Sequence, residues 1–139
     1  MKNKFRTVSK IALVLIYLVI VAGAVVRMTG SGMGCPDWPK CFGYFIPPTE
    51  SAKLLFETNH TYEEGMMILM DQEAFLVAKT DFVSGEKFNA SDWEVYSKHD
   101  YTTYDPVHTW VEYINRLTGV LSGIPILIFT VLAFWFWKK

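Results

Sequence analysis

The chain has 139 residues, two cysteines, 13 basic and 14 acidic residues, and a formal net charge of −1. That length allows one small domain, and the near-neutral balance argues against the basic surface that nucleic-acid binding needs. Hydrophobic residues reach 51%, yet they gather in two blocks at the ends, where an ordinary soluble globule would spread them periodically.

The first block, residues 11–26, contains no charge. Begun at Val8 it provides 19 residues, about 28 Å of helix, with Lys10 snorkelling at one end and Arg27 at the other. It is long for the apolar core of a signal peptide, and its small residues lie inside the run, not after it. The second block, residues 117–137, is charge-free for 21 residues, about 31 Å. Trp135 and Trp137 stand before Lys138 and Lys139, the pattern of an aromatic belt at a membrane interface. Both blocks are read as transmembrane helices.

Charge sets the expected orientation. Residues 1–27 carry Lys2, Lys4, Arg6, Lys10 and Arg27 and no acid, whereas residues 28–106 carry five lysines and 13 acids, a net −8. Basic flanks favour the cytoplasmic side, so both termini are expected inside and the acidic segment outside. Three parts follow: residues 1–28, a cytoplasmic N-terminus and first span; residues 29–105, an extracytoplasmic loop; residues 106–139, a second span and a short tail. The fold class expected is an all-α membrane protein with two spans and a long, partly helical outer loop.

The start of the loop, residues 28–43, is dense in Gly and Pro and excludes regular helix or strand. Beyond Pro47-Pro48, Thr61 and Glu64 resemble a capping box, and Met66, Met67, Leu69, Met70, Ala74 and Leu76 recur at roughly helical spacing. A short amphipathic helix over residues 62–78 is predicted, its methionines read as apolar packing ahead of a soft-metal site. Residues 83–104 show no clear period. Asn59-His-Thr and Asn89-Ala-Ser match the glycosylation sequon, and His60 and His99 are read as solvated surface residues.

Cys35 and Cys41 flank five residues, two of them proline, beside Trp38. Outside the cytoplasm a disulfide closing this small loop is the default reading. Redox exchange and, more remotely, a metal site stay open, although neither a Cys-x-x-Cys motif nor a zinc ligand set is present.

Asp105-Pro106 is a helix start, with Asp as N-cap and Pro in the first turn, and Pro125 is a kink position. His108, Glu112, Asn115, Gly119 and Ser122 are spaced 4, 3, 4 and 3, so they share one face running from the outer interface into the bilayer. Gly119 and Gly123 add a G-x-x-x-G pattern. Such a stripe should face protein or a bound ligand. It fits either an interface helix or a site where Glu112, at the rim of a low-dielectric region, does acid–base or electrostatic work.

Two stretches carry a resemblance. Arg27-Met-Thr-Gly-Ser-Gly-Met-Gly-Cys-Pro-Asp-Trp-Pro-Lys-Cys-Phe-Gly43, after a first span, and Glu112-Tyr-Ile-Asn-Arg-Leu-Thr-Gly119, opening the second, resemble elements of the haem A synthase family. The resemblance implies part of an eight-helix bundle built of two similar four-helix halves, here its first two helices and first outer loop. It implies an oxidoreductase converting the methyl of haem O to the formyl of haem A for cytochrome oxidase biogenesis, with a second haem b in the other half. It places Glu112 on the catalytic glutamate, Cys35 and Cys41 on an outer-loop disulfide open to redox activity, and Arg116 on an arginine that pairs with a haem propionate. The family's axial histidine falls on Asn115, a cofactor-binding position by the resemblance but a poor iron ligand, so either His108 on the same face is the candidate haem iron ligand or haem is held differently. Partners implied are the lipid bilayer, haem, the missing C-terminal half, a haem O-producing enzyme or further copies of the chain, in a bacterial inner membrane. The alternatives are a non-catalytic two-helix assembly or interaction protein and a membrane thiol-redox carrier using Cys35 and Cys41.

Overall fold

The computed structural model describes residues 2–70, 74–98 and 104–137. Helix α1 spans Lys2–Thr29. Its apolar run carries it across the bilayer length, and Gly30, in the left-handed region at φ 70°, ends it by returning its N–H to the carbonyl of Arg27 at 3.4 Å. Helix α2 spans Pro106–Trp137. Asp105 caps it as the sequence predicts: its carboxylate accepts the His108 N–H at 2.9 Å and its carbonyl accepts the Thr109 N–H at 2.9 Å. The helix continues through Pro125.

The two helices contain membrane-length apolar stretches, Phe5–Thr29 and Pro106–Trp135. They run antiparallel, with the rings of Phe5 and Phe129 5.0 Å apart at one end and the chain just beyond α1 against the first turns of α2 at the other. Between these ends Ala12 and Ser122 are buried, small residues where helix backbones approach. Most of the remaining apolar surface, including Leu13, Val14, Val120 and Leu127, is exposed, a surface for lipid or further helices. Gly119 and Gly123 look onto open space, with nothing within 4 Å of an added Cβ, so this helix pair does not use the G-x-x-x-G pattern.

The outer segment departs from the all-α expectation. It contains five short strands: β1 (Thr61–Tyr62), β2 (Met67–Met70), β3 (Ala74–Ala78), β4 (Phe82–Val83) and β5 (Trp93–Val95). β2, β3 and β5 form an antiparallel sheet with β3 in the middle, and β1 pairs with β4. The helix expected over residues 62–78 is therefore a β2–β3 hairpin, registered Met67↔Val77 through Met70↔Ala74. Gly65, at φ 84°, sets the bend before β2 and donates its N–H to the carbonyl of Ala78 at 3.0 Å.

The misreading has a physical cause. Met67 and Phe75, with Leu69 and Val77, pack into a cluster with Cys35, Cys41, Phe42 and Leu54. Ile68, Leu76, Ala78 and Trp93 pack into a second cluster with Tyr62, and with Phe56, Phe82 and Phe88 at its edge. A sheet buried on both faces reads as a continuous apolar run, and periodicity cannot separate such a run from a buried helix.

The sheet is tied to the disulfide loop. The Met67 N–H donates to the carbonyl of Phe42 at 3.2 Å, and the Tyr96 hydroxyl donates to that of Pro36 at 3.0 Å. Gly43 sits at φ 82°, and a Cβ there would lie 2.3 Å from the Met66 Cα, so only glycine fits this junction. His60 lies at the surface with its Nδ1 3.4 Å from a Glu57 carboxylate oxygen. Among the methionines Met67 is buried, Met66 packs at the edge of the second cluster and Met70 is exposed. His99, Lys138 and Lys139 lie outside the described residues.

Candidate functional site: the disulfide ring and the outer turns of the second helix

The Gly/Pro-rich stretch has no strand ladder of its own, so its backbone groups need other partners. After a 3-10 turn at Ser31–Met33, Gly34 rests directly on α2. A Cβ at Gly34 would lie 2.5 Å from the carbonyl oxygen of His108 and 2.8 Å from the Thr109 nitrogen. The Thr109 hydroxyl, fully buried, donates to the Gly34 carbonyl at 2.9 Å. Cys35 and Cys41 then close a disulfide with Cα atoms 4.8 Å apart.

Inside this ring the Trp38-Pro39 peptide is cis. The Asp37 carboxylate accepts the N–H groups of Phe42 at 2.6 Å and Gly43 at 2.8 Å, holding the reversal in which Phe42 takes φ 56°. Burial pushes the Asp37 carboxyl above the usual carboxylate value. The two amide bonds and the nearby Arg116 guanidinium oppose that rise.

One turn below Thr109, Glu112 turns into the same ring. Its Oε2 accepts the Cys35 N–H at 2.9 Å and its Oε1 accepts from Arg116 Nη2 at 2.6 Å. Only 8% of Glu112 is exposed. Arg116 also donates from Nη2 to the Cys35 carbonyl at 2.8 Å, and from Nη1 to the carbonyls of Asp37 and, at 3.3 Å, Lys40. A guanidinium with its forked donors can satisfy several carbonyls and a carboxylate together.

Four of the residues singled out from the sequence, Cys35, Cys41, Glu112 and Arg116, thus meet in one cluster. His108 and Asn115 do not join it. His108 is half-buried in the first turn of α2 with its backbone N–H capped by Asp105, and Asn115 is half-buried, its side chain making no hydrogen bond among the described residues. Sequence reading missed Gly34, Asp37 and Thr109. The signals were there: Pro-Asp-Trp-Pro is turn chemistry with a capping carboxylate, and Thr109 lies one turn before Glu112 on the same face.

The donor set does not make a haem site within these two helices. Both Glu112 oxygens are engaged by Cys35 and Arg116, and the Arg116 donors go to protein carbonyls, leaving the expected propionate pairing unfilled. Asn115 is a poor iron ligand, and His108 meets the ring's approach at Gly34 through its backbone carbonyl. Among the described residues no group of three or more His, Cys, Asp or Glu side chains is placed to hold a metal ion.

Comparison with known proteins decides the lineage. The family model described as cytochrome oxidase assembly protein (COX15-CtaA) matches residues 6–139. The chain belongs to this family. Among its relatives, the haem A synthase of Shewanella oneidensis is 47% identical over 45 residues, which cover 32% of this chain and 14% of that protein. The haem A synthase of Bacillus pumilus is 35% identical over 71 residues, 50% of this chain and 23% of the relative. A protoheme IX farnesyltransferase of Thermus thermophilus is 41% identical over 75 residues, 52% of this chain and 12% of the relative. The chain spans less than a quarter of the length of these curated relatives. No solved structure matches it. Family membership and two bilayer-length apolar helices make it an integral membrane protein.

Proposed function

We propose that the chain is the first helix pair and first outer segment of a haem A synthase-like membrane oxidoreductase, which oxidises the methyl of haem O to the formyl of haem A. The observation that carries this reading is the junction itself. The two stretches that resemble the family, 77 residues apart at Cys35 and Glu112, are joined by direct hydrogen bonds into one unit at the outer edge of α2. In this proposal the disulfide ring is on the extracytoplasmic side of a bacterial inner membrane, with both termini in the cytoplasm, the orientation that the basic flanks favour.

In this reading Glu112 is the acid presented at the outer lip, Cys35 and Cys41 hold the loop that seats it, and His108 is the imidazole nearest the outer surface of α2. Haem O enters as substrate against the exposed faces of the pair, in a pocket that further helices complete, whether these are the second half of the protein, a separate chain or another copy. A second haem b belongs to that other half. This chain's own contribution is to hold Glu112 fixed and largely shielded from water.

The full engagement of Glu112 and Arg116 also favours a second reading, a non-catalytic assembly subunit whose outer sheet binds a partner. One experiment separates the two. The chain is expressed in a membrane that makes haem O, alone and together with the remaining helices of a relative, and extracted haem is identified by mass. The enzymatic reading expects haem A only with the complement present, and its loss on Glu112→Gln. Haem A formation that is indifferent to Glu112→Gln, or no haem A in either case, favours the assembly subunit.

A further inference from the structure

Three backbone carbonyls of the disulfide ring converge on one side chain. Those of Cys35, Asp37 and Lys40 all accept from Arg116, which sits on another element. We propose that the ring closed by Cys35 and Cys41 is a carbonyl cage that makes Arg116 a positioning residue for Glu112. The proposal concerns where the carboxylate is held and applies whether or not the chain handles haem.

A carbonyl carries partial negative charge, and three of them facing inward form a site for a planar cation with several donors. Arg116 supplies the cation, and its Nη2, which also donates to the Cys35 carbonyl, reaches Glu112 Oε1. The other carboxylate oxygen takes the Cys35 N–H. Both partners of Glu112 are therefore parts of the ring or gripped by it.

Other ties fix the ring locally, the Asp37 carboxylate on the Phe42 and Gly43 amides and the Tyr96 hydroxyl on the Pro36 carbonyl, but none of them joins Cys35 to Lys40. The ring contains Pro36 and Pro39, which lack an N–H to donate, and its nearest regular pairing is the isolated bridge between Cys41 and Tyr44. The disulfide is the covalent tie that keeps Cys35 and Lys40, at the two ends of the ring, on the same guanidinium. Lysine in place of Arg116 would bring the charge without the fork, and could not serve the carbonyls and the carboxylate together.

The test reads the freedom of the Glu112 carboxyl directly. The full chain in lipid nanodiscs is treated with a hydrophobic carbodiimide, and modification of Glu112 is followed by mass spectrometry, with the exposed Glu94 as internal control. Wild type is compared with Cys35→Ala/Cys41→Ala, with Arg116→Gln and with all three substitutions together. Modification of Glu112 is expected to speed up about tenfold in each of the first two variants, the factor that loss of a charge-assisted hydrogen bond implies. The combined variant should be no faster than Arg116→Gln alone, because the cage acts through the arginine, and Glu94 should not change. Unchanged Glu112 reactivity without the disulfide overturns the proposal. So does an effect of the cysteine pair that persists in full once Arg116 is gone. Should the cysteine variant fail to fold, Arg116→Lys with the disulfide intact carries the test: modification near the Arg116→Gln rate supports the cage, and the wild-type rate overturns it.

Discussion

The outer segment contains two regions held together in different ways. The disulfide ring and the first turns of α2 are joined by directed polar contacts: Glu112 to Cys35, Arg116 to three carbonyls, Thr109 to Gly34 and Asp37 to the Phe42 and Gly43 amides. The sheet of β2, β3 and β5 is held by side-chain burial on both faces, around Trp93, Tyr62, Ile68 and Leu76 on one side and Phe42, Phe75 and Met67 on the other. Polar contacts need particular residues at particular places, whereas an apolar face tolerates exchange of similar volumes. The first region should therefore be brittle to chemistry and the second brittle to volume.

The largest effect should come from volume. Trp93→Ala empties the centre of the second cluster, where the ring of Tyr62 lies 4.9 Å from the indole and that of Phe82 5.4 Å, and should cost about 4 kcal/mol. Amide exchange should rise across β3 and β5 while Cys35 stays protected, because the ring is anchored on α2. Equal loss of protection in both regions would merge them into one unit and break the distinction.

The polar region should answer to a single charge. Glu112→Ala leaves the Arg116 guanidinium and the Cys35 N–H without their carboxylate, and should cost about 3 kcal/mol in a denaturation series in detergent. Glu112→Gln, which keeps the shape and an acceptor, should cost less. A Glu112→Gln variant as stable as wild type would make the site a matter of volume after all.

The smallest effects are pH-dependent and opposite in sign. Burial raises the Asp37 carboxyl above 3.8, so protonation favours the fold: that contribution is present at low pH and is lost as pH rises through the raised value. The cap bond to the His108 N–H lowers the Asp105 carboxyl below 3.8, so its contribution is present above that value and is lost as pH falls through the lowered one. Melting curves of wild type, Asp37→Asn and Asp105→Asn between acid and neutral pH should thus show wild type gaining on Asp37→Asn, and losing its advantage over Asp105→Asn, as pH falls. Parallel pH profiles for all three would contradict this assignment of the two carboxyls.

The same distinction separates what could be read from the sequence from what could not. The spans were legible because 16 and 21 residues without a charge have few explanations other than a membrane, and the cap at Asp105-Pro106 is local chemistry. Cys35, Cys41, Glu112 and Arg116 stood out as motifs, but their meeting did not, because it links positions 77 residues apart through backbone groups that every residue type carries. The sheet was misread because Ile68, Leu76 and Ala78 face one cluster while Met67 and Phe75 face the other, leaving no polar alternation to mark strands. Asn115 and Gly119 shared a predicted face with Glu112, yet helical spacing fixes only direction, and the ring covers no more than the outer turns of that face.

Hydrogen exchange at the Cys35 amide tests the central claim most directly, since that N–H donates to the Glu112 carboxylate across the junction of ring and helix. Mass spectrometry of the peptide holding Cys35, from the full chain in nanodiscs, compares wild type with Glu112→Ala. A wild-type amide that exchanges slowly, and at least about tenfold faster in the variant, is the expected result. Equal exchange in the two proteins would mean that Glu112 does not hold the ring.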